Sequence, residues 1–150
     1  SIHSPASANP SGACLIANNL SDVADAATAR DNIAANKMAL VCRVTNLVGA
    51  GGAVYRAVSP VAGQIKKLQS ILEGAALATG DATITASING TPITGGAVTI
   101  TQVGSAPGNI DSAAPSALNT VADGDAIELT VSGTNDAAAA FAEVTIYIEY

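Results

Sequence analysis

A chain with one His, two Cys and twelve Asp and Glu has few ways of doing covalent chemistry. Its only His is His3, set in a Ser/Ala/Pro/Asn stretch, so no Ser or Cys has a neighbouring base that could activate it. His3, Cys14 and Cys42 together do not make the nitrogen and sulfur ligand set that zinc takes. Carboxylates are the remaining option. Asp123, Asp125 and Glu128 in "DGDAIE" lack the loop spacing and closing Glu of a calcium site, and read as a solvated turn between strands. Asp111, Asp123 or Glu143 would have to pair as acid and base in a glycosidase, yet three Tyr, one Phe and no Trp leave few platforms for a sugar ring. The run "GAGGAV" at 49–54 ends in Val54 with no helix behind it, so it reads as a turn and not as a phosphate cradle. The expectation is a non-enzymatic protein with no metal and no cofactor, whose function lies in surfaces and assembly.

Charge narrows the partners. Charged residues make up 12% of the chain, about half the usual share in soluble domains. Ser, Thr, Asn and Gly must cover much of the surface, together with an apolar face buried against copies of the chain or another protein. A net charge of −6, with Lys66-Lys67 as the only basic pair, argues against nucleic acid. No apolar run approaches the roughly 18 residues of a membrane span, and the first residues lack the basic and apolar regions of a secretory signal. Synthesis and assembly in a cytoplasm is the expectation. There, two free thiols are preferred over a Cys14–Cys42 disulfide, with Cys42 acting as a small buried apolar group.

Three segments must position whatever acts. Residues 1–17 have too few apolar groups to offset their ordering entropy, which predicts a flexible arm. Residues 18–36 hold a short helix from Ser21, a good N-cap, with Asp22 and Asp25 in its first turn. Val23, Ala26, Ala27, Ile33 and Ala34 share one face of it, and Arg30 falls inside that face with no carboxylate at helical spacing to pair with. So short a helix is marginal alone, which implies docking on its own β-domain or on other chains.

Residues 37–150 change to a period of two. Strands are predicted at 39–46, 53–58, 64–72, 81–88, 97–103, 118–121, 126–132 and 142–150, with turns at "NGTP", "TGGA" and "ADGDA" and a long loop at 104–117. About eight short strands without intervening helices predict an all-β, antiparallel β-sandwich of jelly-roll type.

The stretch "NNLSDVADAATARDNIA", residues 18–34, resembles a motif of tailed-bacteriophage fibre and virion proteins. Asn19, Leu20, Ser21, Asp22, Val23, Ala27, Thr28, Ala29, Arg30 and Asn32 carry the resemblance, with Ile33 in place of the usual Leu. "GDATITASINGTPITGGAVTI" and "ALNTVADGDAIELTVSG" look like segments of small capsid-decoration or head-fibre proteins. The resemblance implies a homotrimer on the capsid surface of a virion, bound to the major capsid protein as a decoration or cement protein. A three-fold bundle would join Leu20, Val23, Ala27 and Ile33 and let Arg30 reach Asp25 or Asp31 of a neighbouring chain. The alternative is a tail-fibre or head-fibre module that recognises a host surface glycan.

Overall fold

The computed structural model describes residues 36–150. Nine strands follow in order: β1 (Lys37–Val44), β2 (Val54–Val58), β3 (Gly63–Glu73), β4 (Ala82–Ile88), β5 (Thr91–Ile100), β6 (Ile110–Ala113), β7 (Thr120–Val121), β8 (Ala126–Gly133) and β9 (Phe141–Glu149). They form two antiparallel sheets. The first has the order β1-β9-β3-β6, with β7 also on β3, and the second the order β2-β8-β4-β5.

Alternation does in space what it does along the chain. Leu40, Cys42 and Val44 of β1 turn inward while Val41 and Arg43 face out, and Ile84, Ala86, Leu129, Val131, Val144 and Ile146 obey the same rule. The inward residues of both sheets merge into one cluster. Its buried members are Val, Ile, Leu, Ala and Cys42, without one aromatic ring among the described residues, so a core of short branched side chains separates the sheets.

Several boundaries differ from expectation. The described residues hold nine strands where about eight were expected, because the segment read as a long loop contains β6, whose Ile110 to Ala113 pair with Ile71 to Leu68. Four residues with only two apolar among them carry no readable period; pairing to β3 makes them a strand. β5 begins at Thr91, well before residue 97, because the turn at Asn89-Gly90 feeds straight into it. Both residues have positive φ, 48° and 84°, as a type I′ hairpin requires. The helix expected in 18–36 and the arm expected in 1–17 lie outside the described residues.

Polar side chains lock the loops at both ends. Asn135, 1% exposed, donates from Nδ2 to the Leu47 carbonyl and accepts at Oδ1 from the amides of Ala78 and Ala137. One side chain thus joins the connections β1–β2, β3–β4 and β8–β9. Beside it Gly49 runs so close to Gly133 that a Cβ there would stand 2.0 Å from the Gly133 carbonyl oxygen. At the opposite end Asn89 donates to the Asp125 carboxylate and accepts from the Ala126 amide, which ties the β4–β5 turn to the β7–β8 turn.

Candidate functional site

The outward face of the first sheet mixes charged, polar and apolar side chains. Its cross-strand rows follow from the register. Arg43, Glu143, Ile71 and Ile110 make one row, Val41, Thr145, Gln69 and Ser112 the next, and Ala39, Tyr147 and Lys67 a third. Arg43 Nε lies 2.6 Å from Glu143 Oε1, and its guanidinium sits 4.9 Å from the centre of the Phe141 ring. That end is self-satisfied. Glu143 lines a shallow hollow with Gln69, Ser70, Ile71, Ile110 and Thr145. Val41 and Ile110 are each 60% exposed, so the face offers apolar area between its polar groups.

Toward the other end of the sheet the character becomes basic. Lys37, Lys66, Lys67, Tyr147, Ile148 and Glu149 line a hollow of about 220 Å³. Lys67 Nζ stands 5.6 Å from the centre of the Tyr147 ring, and the Tyr147 hydroxyl donates to Gln69 Oε1 at 3.2 Å. The sequence showed the Lys66-Lys67 pair but gave no sign of Lys37 beside it.

The outward face of the second sheet differs. Ser132, Thr83 and Thr99 form one row, and Thr130, Thr85 and Ala97 another, while Arg56 of β2 pairs with Glu128 of β8. Hydroxyls take the place of charge on this sheet, which is one source of the low charge content.

A third hollow, of about 170 Å³, lies where β5 leads into β6 and is lined by Thr101, Val103, Ser105, Asn109 and Asp111 among others. Val103 beside it is 82% exposed.

Three of the carboxylates singled out by sequence are occupied separately. Asp125 accepts from the Ala122 amide and from Asn89, and these bonds hold its carboxyl below the ordinary carboxylate pKa. Glu128 pairs with Arg56, and Glu143 with Arg43. Among the described residues no three His, Cys, Asp or Glu side chains gather closely enough to hold a metal ion, and no helix is long and apolar enough to cross a membrane. Cys42 is a buried free thiol whose pKa is raised by burial first and by the Glu143 charge second. Leu20, Val23, Asp25, Ala27, Arg30, Asp31 and Ile33, the expected attachment residues, and Cys14 lie outside the described residues.

Compared with known proteins, the chain matches no family model, and no curated sequence matches it.

Proposed function

We propose that the chain is a non-enzymatic virion structural protein, a homotrimer that binds the outside of a phage capsid and stabilises the shell. Its two sheets, in this reading, form a jelly-roll sandwich. The observation that carries the fold is the nesting of the pairs: β1 with β9, β2 with β8, β3 with β6 and β7, and β4 with β5. Rolling up one long antiparallel hairpin, with β4 and β5 at its tip, produces that nesting, and from β1 to β4 the strands fall alternately in the two sheets.

The role itself is supported by the resemblance of residues 18–34 to the phage motif and by a β-domain whose polar surface is largely uncharged. Leu20, Val23, Ala27, Arg30 and Ile33, with Asp25 or Asp31 across the interface, would join the copies. Bridging several shell subunits at once multiplies weak contacts through effective concentration. Cosedimentation with undecorated phage shells tests the role. The full chain is expected to pellet with shells, and removal of residues 1–17 to release it while the β-domain stays folded; a full chain that remains in the supernatant refutes shell binding. Light scattering tests the trimer, whose expected mass is about three times the 14.6 kDa of one chain.

The second reading, a fibre module that recognises a host glycan, draws on the hollow lined by Thr101, Ser105, Asn109 and Asp111, groups able to hydrogen-bond sugar hydroxyls. Binding of the chain to host cells, without binding to shells, favours it.

A further inference from the structure

Of the chain's six Lys and Arg residues, Lys37, Arg43, Arg56, Lys66 and Lys67 lie in the described region. Arg43 and Arg56 are held by Glu143 and Glu128. Lys37, Lys66 and Lys67 are the cations that no described carboxylate reaches within ion-pairing distance, and all of them line the same hollow.

Two separate features of the fold bring them there. The first is an irregularity in β3. Ile65 pairs with Ile148 and Lys67 with Tyr147, so Lys66 is an extra residue opposite no partner on β9. In a regular strand one of two successive lysines would point into the core; the bulge turns both outward, with Ile65 and Leu68 buried on either side. The second is β9, which holds β1 and β3 on its two edges. Glu149 pairs with Lys37 on one side and with Gln64 on the other. Lys66 Nζ donates to Gln64 Oε1 at 2.6 Å, which keeps that ammonium at the surface of the hollow. Among the described residues Glu149 is the only carboxylate lining it, so the local balance there is positive on a chain whose net charge is −6.

Clustering like charges does nothing for folding, and a bulge interrupts a ladder. Both features make sense if anions arrive from outside. We propose that this corner of the first sheet is a docking site for a carboxylate-rich surface of a partner protein. Charge complementarity selects that occupant. An acidic surface is repelled by most of this molecule and attracted here, which fixes the orientation of docking as well as its place. Lysines on flexible stems suit several separately placed carboxylates, whereas a single planar or tetrahedral anion is held better by the arginine fork. A nucleic acid would need a basic stripe long enough to neutralise successive phosphates, and this cluster stops at three lysines. The site does not depend on the virion reading, since any partner with such a surface fits it.

The test uses the full chain, isotopically labelled, titrated by NMR with an oligoglutamate peptide and separately with inorganic phosphate. With the peptide, amide shifts are expected to concentrate at Lys37, Lys66, Lys67 and Tyr147 and to fade as salt rises from about 50 to about 200 mM, where screening shortens the reach of exposed charges. Each of Lys37→Gln, Lys66→Gln and Lys67→Gln is expected to weaken binding about two- to five-fold, and the triple variant by about ten-fold or more, on the scale of exposed ion pairs. An unchanged spectrum away from the substitutions shows that the variants are folded. Peptide affinity that survives in the triple variant, or shifts centred elsewhere, overturns the proposal. Phosphate that saturates the hollow as tightly as the peptide also overturns it, by making this a small-anion pocket.

Discussion

Replacing Asn135 by Ala removes a side chain that three connections share. The substitution strips the Leu47 carbonyl of a donor at 2.8 Å and the amides of Ala78 and Ala137 of an acceptor at 3.1 Å each. Leu47 is fully buried, so its carbonyl loses a partner that water cannot readily replace. An orphaned buried polar group costs about 1–3 kcal/mol, and the two amides, which are partly buried, fall at the low end of that range. The expected loss is about 3 kcal/mol, a large fraction of the roughly 5–15 kcal/mol that holds a typical domain together. Urea unfolding at fixed protein concentration reads it as a lower midpoint with an unchanged slope. Asn135→Asp separates hydrogen bonding from packing, because the shape is kept while an oxygen replaces the donor that faces Leu47. At neutral pH that variant is also destabilised. Repulsion from the carbonyl raises the folded pKa of the new carboxyl, so stability returns as pH falls and the protonated group donates again. A loss below about 1 kcal/mol for Asn135→Ala, a fraction of the value expected for three lost partners, or an Asn135→Asp variant with no recovery in acid, refutes the shared-lock account.

Two further outcomes follow from backbone approach and from burial. Gly49→Ala puts its Cβ 2.0 Å from the Gly133 carbonyl oxygen, whereas Gly51→Ala meets nothing within 4 Å and carries only the strain of its φ of +100°. Thermal unfolding is therefore expected to show a loss of about 3 kcal/mol for the first and about 1 kcal/mol for the second, and equal losses would contradict the close approach. Cys42 has a folded pKa raised above 9.0, so its neutral thiol suits both states below that pH; as pH climbs past 9.0 the unfolded chain ionises first and stability falls. Measured in a Cys14→Ser background, Cys42 is expected to react with a thiol reagent far more slowly in the native than in the unfolded protein, and equal rates would mean that the thiol is accessible.

The candidate surfaces were only partly legible in the chain. Lys66-Lys67 stands out as the one basic pair, but Lys37 is remote in sequence and becomes its neighbour only because β9 bridges β1 and β3. The only sign of a bulge in "QIKKLQSIL" is that strict alternation would bury one of the lysines; the register with β9 resolves that conflict. Asn135 reads as an ordinary loop residue. Its importance depends on three connections meeting around it.

Where most strands run and how several turn is legible along the chain, because those properties are local. Val, Ile and Thr alternating with polar residues suit one conformation with two faces, and Asn89-Gly90 supplies the positive φ angles of a tight hairpin within two residues. Strand pairing, by contrast, is settled by long-range packing. Backbone donors and acceptors are alike on every strand, so β1 could hydrogen-bond to many partners; it meets β9, across most of the described chain, because that arrangement brings the inward residues of both sheets into one core. The same closure made a strand of Ile110 to Ala113 and gathered the unpaired lysines at one corner, since neither outcome depends on the residues alongside them in sequence.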